Sequence, residues 1–417
     1  MKKNIWILNH YATNMIEDKA GRHYWLAENL ILNGYKPTIF CASTLHNSNK
    51  SIDTEGNLFV KNESGDVPFV VVKTPQYSGN GKKRIINMIS FYKNLFPTAK
   101  NYAKLNGKPD IILASSVHPL TLVAGIKIAK KLGVPCICEV RDLWPESIVA
   151  YGSLKRNSVR AKILYQGEKW IYKKANKLIF TMEGGKDYII EQGWGKENGG
   201  PIDIDKVYHI NNGINLVNFT QNREEFSFVD EDLDNKDIFK VIYTGSIRKV
   251  NDVNYLIEVA KEIELSGAQN IKVIIYGDGN DKDKLVERCK TENITSVIFK
   301  GRVPKHQIPY ILSKSDLNIL HFQQNNIKKY GASLNKLFEY FASGKPIISD
   351  CEFGYDLIKR YDCGVVVDSA SPKEIAEEII KIKNFSLGEY NTMCINSFIA
   401  AQDYDFSKLT AKLLEII

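Results

Sequence analysis

Pro109-Asp110-Ile111-Ile112-Leu113-Ala114-Ser115 is a continuous apolar run. A helical stretch follows near Leu120–Lys131, and a second apolar run spans Gly133–Val140. Strands without polar alternation, separated by an amphipathic helix, belong to a parallel sheet covered on both faces. The same alternation extends outward from this unit. Upstream, strands are predicted at Asn4–Leu8, Pro37–Ala42 and Val67–Lys73, with a helix over Gly21–Asn33. Downstream, Lys177–Thr181 and Val207–Ile210 close the first series. A second series runs through Lys240–Thr244, Ile271–Tyr276, Val297–Lys300, Leu317–His321, Pro346–Ser349 and Gly364–Val367, with helices over Val253–Leu265 and Lys282–Thr291. The expectation is two doubly wound α/β domains. The polar segment Gly193–Asp205 reads as a surface loop, and Asn211-Asn212-Gly213 followed by acidic Gln221–Asp237 as the linker between domains. A terminal helix near Phe406–Ile417 is open to either domain.

The chain has 417 residues, enough for two cores, and its 44% apolar and 25% charged content is ordinary for a globular protein. No apolar run approaches the roughly 20 residues that span a bilayer. The start, Met1-Lys2-Lys3-Asn4-Ile5-Trp6-Ile7-Leu8-Asn9-His10, turns polar too early for a signal peptide and reads as a first strand. Seven cysteines at irregular spacing, without Cys-x-x-Cys, argue against a disulfide framework or zinc site and fit a reducing cytoplasm. Cys136 and Cys138 alternate within a strand and are expected on one face. Charge is uneven. Residues 1–205 carry 29 Lys and Arg against 18 Asp and Glu, a net +11, whereas residues 206–417 carry 27 against 30, a net −3. A basic half suits phosphorylated substrates or anionic lipid. No signature of nucleic-acid reading accompanies it, so no nucleic-acid partner is expected.

Ligands of open parallel sheets bind beyond the carboxyl ends of the strands, and the polar strings of this chain fall there. Tyr330-Gly331-Ala332-Ser333-Leu334-Asn335-Lys336 leads into Leu337-Phe338-Glu339-Tyr340. A helix opened by small residues offers backbone N–H groups and a positive dipole end to an anion. Lys336 opposes the dipole in that first turn, a penalty that a bound phosphate removes. Glu339 is placed to accept from sugar hydroxyls. Thr244-Gly245-Ser246-Ile247-Arg248-Lys249 follows a strand. Gly245 lets the backbone approach a ligand, while Arg248 and Lys249 can neutralise a diphosphate. Gly277-Asp278-Gly279 forms a tight turn but lacks the third glycine of a dinucleotide fingerprint. Gly301-Arg302-Val303 could read a base edge through its backbone. In the first half, Glu139-Val140-Arg141-Asp142-Leu143-Trp144-Pro145-Glu146 gathers charges at a strand end. Buried charges are costly unless paired, so Arg141 and Asp142 are expected to face a cleft or each other. His118, in Ser115-Ser116-Val117-His118-Pro119, is a candidate acid–base or hydroxyl-binding group. Gly21 permits close approach at a helix start, where Arg22 could hold a phosphate. The basic and apolar segment Lys82–Phe96 fits either an anionic membrane surface or a helix on the sheet.

Taken in order, Ser115–Leu120, Arg141-Asp142-Leu143-Trp144-Pro145-Glu146-Ser147, Ile210–Ile214, Gly277–Gly279 and Asn335–Tyr340 resemble the retaining glycosyltransferases of family four, over nearly the whole chain. The Arg-Asp-Leu-Trp-Pro and Asn-Lys-Leu-Phe-Glu-Tyr strings look like those of bacterial O-antigen and capsule transferases, some acting on N-acetylated deoxy-aminosugars. The resemblance implies a GT-B fold, two Rossmann-like domains facing a cleft. Residues 1–212 would bind the acceptor and 213–399 the nucleotide sugar, with the helix at about 400–417 packed back on the first domain. It implies a retaining hexosyltransferase that moves a sugar, with UDP as the expected carrier, to a lipid-diphosphate-linked saccharide. The setting would be the cytoplasm or the inner face of the cell membrane. It assigns Glu339 to the ribose and the Ser333, Leu334 and Asn335 backbone to the diphosphate, and puts Arg141 near the transferred sugar. Gly21, Gly245, Gly277, Gly279, Arg302 and Val303 complete the expected donor site. Arg141, Asp142, Arg248, Lys249, Lys336 and His118 are the expected catalytic group. The expected donor sugar is an N-acetylated aminosugar carried on UDP. Position 331 is glycine where the family carries the first member of its Glu-x7-Glu pair, the residue that contacts that sugar, so this position does not support the sugar's identity. No Asp-x-Asp follows a strand, and neither metal nor cofactor is expected. A nucleotide-sugar epimerase and a catalytically silent scaffold of a polysaccharide assembly remain alternative readings.

Overall fold

In the computed structural model, residues 3–46, 48, 50–77, 79, 81–116 and 118–417 are described, Val250 by its backbone alone. Val117 of the Ser115–Leu120 string, and Met1 and Lys2 of the opening string, lie outside them. The chain divides into two compact units, Met1–Asn211 with Phe406–Ile417, and Asn212–Asp405.

The first unit is built on eight strands: β1 (Asn4–Leu8), β2 (Lys36–Ala42), β3 (Phe59–Asn62), β4 (Phe69–Val72), β5 (Ile111–Ser115), β6 (Cys136–Val140), β7 (Lys177–Phe180) and β8 (Val207–His209). Their order is β3-β4-β2-β1-β5-β6-β7-β8. All neighbours are parallel except β3, which runs antiparallel on β4. The central strands are buried on both faces, which is why their sequences are apolar throughout. The helix Pro119–Leu132 starts with Pro at its first position and stops at left-handed Gly133 (φ 70°), the usual asymmetry of helix ends. The Cys136 and Cys138 thiols share a face, with Sγ atoms 3.9 Å apart.

The second unit holds β9 (Phe239–Thr244), β10 (Ile271–Tyr276), β11 (Val297–Gly301), β12 (Leu317–Leu320), β13 (Ile347–Ser349) and β14 (Gly364–Val366), in the order β11-β10-β9-β12-β13-β14. All pairs are parallel. Val241, Val273, Ile275, Ile319, Ile348, Ile375 and Ile379 belong to its core. The register of β10 on β11 slips at Ile275/Tyr276, so Tyr276 pairs with Gly301 rather than Lys300.

Three expectations are corrected. The strand β3 was not read from the sequence because Phe-Val-Lys-Asn is short and half-buried at a sheet edge. The acidic stretch Gln221–Asp237 is not an unstructured linker. It falls partly in the helix Leu216–Glu225, whose Asn215 side chain accepts from the Asn218 N–H, and holds the short helix Glu231–Asp234, capped by Asp230. The segment that joins the first unit from the C-terminus begins at Phe406, not near residue 400. The helix Leu387–Asp403 belongs to the second unit, and Asp405 is held there by the Leu216 N–H at 2.9 Å. In the first unit, Phe406 packs on Trp25 with ring centres 5.0 Å apart.

Candidate active site

In each sheet the strand order reverses once, between β1 and β5 in the first unit and between β9 and β12 in the second. Loops on either side of such a switch point diverge and leave a crevice at the carboxyl ends. Both units place their polar clusters there.

In the first unit His10, two residues after β1, meets His118, three residues after β5. His10 Nδ1 lies 2.6 Å from His118 Nε2, and His10 Nε2 lies 2.7 Å from Asn87 Oδ1. The Asn87 amide donates to Thr44 Oγ1 (2.9 Å) and to the Pro75 carbonyl (2.6 Å), which turns its oxygen toward His10. His10 Nε2 therefore donates, its neutral ring accepts at Nδ1, and His118 Nε2 is the donor to it. This leaves His118 Nδ1 as a lone pair, buried and without a hydrogen-bond partner among the described residues. Burial, aided by the Arg84 cation, lowers the His118 pKa to about 3. Burial and the neighbouring His118 likewise hold His10 well below the ordinary range. Near neutral pH His118 is thus a hydrogen-bond acceptor rather than a proton donor, which narrows the acid–base role expected for it. His10 is stacked on Phe91 and Tyr11, ring centres 4.5 Å away in both cases. Tyr11 stacks on His46 at 4.1 Å and accepts from Arg84 Nε at 2.9 Å.

These histidines set a pH dependence. In the unfolded chain each titrates near 6.5, while in the folded protein it stays neutral to much lower pH. Between those values the unfolded state binds more protons, so stability is complete above about pH 6.5 and falls as the pH drops toward 3. The slope is up to about 1.4 kcal/mol per pH unit for each such group. Urea denaturation at pH 7.5 and 5.5 is expected to give a lower midpoint at 5.5. Equal midpoints would contradict the neutral pair.

Arg141 follows β6. Its N–H donates to Ser116 Oγ at 2.9 Å, but its guanidinium Nε is buried without a hydrogen-bond partner among the described residues. Among the described residues Arg141 forms no ion pair with Asp142, which is exposed. The two were expected to face a cleft or each other, and they do not pair. Gly21 caps the helix Arg22–Leu32 at φ 113°, a conformation that glycine tolerates best. Arg22 is not a phosphate holder. It pairs with Glu139 (2.7 Å) and donates to the Ile210 and Asn211 carbonyls at 2.9 and 2.5 Å, wholly inside the unit.

In the second unit Gly245, Gly277 and Gly279 are brought together by β9 and β10. The Gly245 N–H donates to the Tyr276 carbonyl at 3.0 Å and the Gly277 N–H to the Gly301 carbonyl at 2.8 Å. A Cβ on Gly277 would collide with the Gly245 carbonyl, and one on Gly279 with the Ile247 carbonyl. These glycines permit backbone to touch backbone. Lys336, in the first turn of the helix Asn335–Ala342, lays its ammonium over the Tyr243 ring, 4.2 Å from the centroid. A Cβ on Gly245 would stand 2.9 Å from that Nζ. Lys336 makes no hydrogen bond or ion pair with the described residues, and desolvation lowers its pKa to about 8 against the pull of Glu339. No side chain caps this helix, whose N-cap is Leu334. Asn335 is exposed, and Ser333 is tied to Asn212, whose amide donates to the Ser333 carbonyl at 2.9 Å. Glu339 is half-buried, and burial raises its pKa against the attraction of Lys305 and Lys336. Gly331 has φ 98°, so the residue that replaces the family's glutamate sits in a backbone conformation suited to glycine. Arg248, Lys249 and Arg302 are exposed and Val303 is half-buried. Arg248 and Lys249 lie in a turn held by Asn251, which donates to the Ser246 carbonyl and hydroxyl at 2.6 Å each.

His10, Tyr11, His46, Arg84 and Asn87 were not among the residues expected from the sequence. The signal was present for two of them: Asn9-His10-Tyr11 follows a strand, as Ser116–Pro119, Arg141–Glu146, Gly245–Lys249 and Gly277–Gly279 do.

Two parallel-sheet α/β units of this order define the architecture of GT-B glycosyltransferases. Solved structures share it. Sucrose-phosphate synthase from Thermosynechococcus elongatus superposes with a TM-score of 0.69 at 13% identity, covering 100% of this chain and 98% of that one. HepE from Anabaena, in complex with UDP-glucose, gives 0.62 at 14% identity, covering 99% and 98%. In sequence, residues 24–217 match Glycosyltransferase Family 4 and residues 224–397 match Glycosyl transferases group 1. The chain belongs to glycosyltransferase family 4 and is a glycosyltransferase. Among curated relatives, the probable glycosyltransferase WbjE of Pseudomonas aeruginosa is 21% identical over 287 residues, 67% of this chain and 68% of that protein. An uncharacterized glycosyltransferase of Methanocaldococcus jannaschii is 24% identical over 220 residues, about half of each chain at 51%.

Proposed function

We propose that this glycosyltransferase moves a sugar, with retention of anomeric configuration and without an obligatory metal, from a UDP-sugar to a lipid-diphosphate-linked saccharide of a surface polysaccharide such as an O-antigen or capsule. An N-acetylated aminosugar is the donor sugar of choice. The observation that carries this reading is the Lys336 ammonium, stacked on Tyr243 beside Gly245 at the switch point of the second unit and without a hydrogen bond or ion pair among the described residues. A cation, an uncapped helix start and an open backbone match the charge that develops on a departing diphosphate, with Arg248 and Lys249 on the following turn. As the anomeric C–O bond to the diphosphate breaks, the acceptor hydroxyl attacks on the same face and passes its proton to the departing phosphate. His118 Nδ1 can accept a hydroxyl hydrogen bond, and Arg141 brings a cation to the first unit's crevice. UDP is favoured by the sugar nucleotides bound in HepE and in the E. coli trehalose-6-phosphate enzyme structure with UDP-2-fluoro glucose.

A peripheral position on the inner face of the cell membrane is part of the proposal. The helix Lys82–Asn106 buries Asn87, Phe91, Leu95 and Tyr102 against its unit, yet leaves Ile85, Ile86 and Ile89 exposed beside Lys82 and Lys83. Cations next to exposed aliphatic side chains suit an anionic bilayer surface. Among the described residues no helix is long and apolar enough to cross a membrane.

Thermal stabilisation by UDP, GDP, ADP, CMP and dTDP, with and without magnesium, tests the donor assignment. A ligand of the folded state adds about 2.7 kcal/mol at a hundredfold excess over Kd. The expected result is a UDP-selective shift that chelation leaves unchanged. No shift with any nucleotide would reject the reading in favour of a silent scaffold. In the same assay Glu339→Ala is expected to weaken UDP binding about tenfold or more, the scale of a lost hydrogen bond to a charged group. Unchanged affinity would remove its ribose role. An epimerase, by contrast, would convert the donor with no acceptor present.

A further inference from the structure

The first unit contains a cavity of about 410 Å³ that no step above uses. It is walled by the helices Pro119–Leu132, Trp144–Ala150 and Val159–Lys174. Its apolar lining includes Leu122, Val123, Trp144, Ile163, Leu164 and Trp170. The volume falls within the range of about 300–1,000 Å³ common to small-molecule sites. Resting on the acceptor assignment above, we propose that this cavity holds the isoprenoid chain of the lipid-diphosphate acceptor.

Several observations converge on an amphiphile with an anionic head. Val159, Ile163 and Trp170 recur at helical spacing on one face and stay 73%, 65% and 36% exposed. Runs of that kind on a soluble surface mark an interaction site. The same helix carries Arg160, Lys162, Lys169, Lys173 and Lys174, and the helix Pro119–Leu132 adds Lys127, Lys130 and Lys131. Glu168 is the lone acid on these two helices. Both its oxygens are engaged, by Tyr172 at 2.6 Å and Tyr188 at 2.7 Å, and burial raises its pKa to about 7. Hydrocarbon surface set among cations complements a diphosphate on a hydrocarbon chain. Ser116, Lys127, Asp142 and Glu168 bring polar groups to the lining, and the Arg141 N–H donates to Ser116 Oγ. A diphosphate carried on the chain would find the Lys127 cation at that lining.

Gly167 lies on the same wall. It sits inside the helix Val159–Lys174, where glycine costs about 1 kcal/mol relative to alanine. It lines the cavity, and a Cβ built on it meets nothing within 4 Å. A Cβ at this exposed position is accommodated, so a larger residue adds a side chain at the cavity wall and favours the helix.

The test is titration of the full chain with farnesyl diphosphate, farnesol and inorganic diphosphate, read by tryptophan fluorescence, since two of the five tryptophans line the cavity. Wild type is expected to give a saturable response to farnesyl diphosphate and none to inorganic diphosphate. Gly167→Leu is expected to raise that Kd at least about tenfold, with its UDP-induced thermal shift unchanged as evidence of folding. Equal Kd values in the two proteins would overturn the proposal. So would an equal, equally Gly167-dependent response to anionic phospholipid vesicles, which would give the cavity to bilayer lipid. A dimer that Gly167→Leu dissociates would give it to a second copy. Transfer assays separate this inference from the reading beneath it. Equal rates on short-chain and polyprenyl diphosphate acceptors would end the chain site and leave the transferase reading intact. Prenyl binding lost in Gly167→Leu, but no transfer to any diphosphate-linked acceptor, would end the acceptor assignment instead.

Discussion

Lys336→Ala is expected to lower turnover by about 10²–10³, the cost of removing a donor aimed at developing charge. The Lys336 ammonium is stacked on Tyr243 and forms no hydrogen bond or ion pair with the described residues. A cation stacked on an aromatic face gains roughly 0.5–2 kcal/mol, so its removal should leave the fold largely intact while taking away a charge preset beside Gly245. An anion there would also hold the ammonium protonated, raising a pKa that desolvation sets at about 8. Steady-state kinetics with the donor identified by thermal shift would measure the effect. The fall should appear in kcat more than in KM if the interaction strengthens in the transition state. Turnover unchanged in a folded Lys336→Ala protein would remove the residue from the catalytic group.

Glu139→Ala carries the largest expected effect on stability, a loss of about 3–5 kcal/mol, as for other buried pairs broken from one side. Glu139 is 1% exposed at the end of β6 and accepts from Arg22 Nε (2.8 Å), His23 Nε2 (2.8 Å) and Ser115 Oγ (2.7 Å). Burial alone would raise its pKa, but the Arg22 cation, the His23 ring and their hydrogen bonds outweigh it and hold the carboxyl well below the usual range. Its contribution is therefore present above the unfolded pKa, about 4.3, and lost only as the pH falls through the lower folded value. Removing the carboxylate leaves the Arg22 charge buried without its acidic partner. Urea denaturation near neutral pH would report the loss. A change below about 1 kcal/mol would show that the site relaxes or admits water.

Arg22 shows where reading the sequence stops. A cation after a glycine at a helix start has the local look of a phosphate site, and that is how it reads. The residue that claims it is 117 positions away, and nothing in either segment announces the other. Gln221–Asp237 misled in the opposite way, because acidity and poor hydrophobicity hid the end of one helix and the whole of a second, N-capped by Asn215 and Asp230 respectively. The cavity beside Gly167 has no sequence signature, since it is the space left between three helices.

By itself the sequence determined the two α/β series, the boundaries of most strands to within a residue or two, and the polar strings at the strand ends. Those properties follow from periodicity, turn chemistry and chain order, which act over a few neighbours. The tertiary structure decided which strings meet. His10 and His118 touch because β1 lies between β2 and β5, and Lys336 stands over Tyr243 because β12 pairs with β9. Strand order is settled by packing the whole sheet, so the partners of a buried charge or a lone pair become fixed only when residues a hundred positions apart are brought to the same switch point.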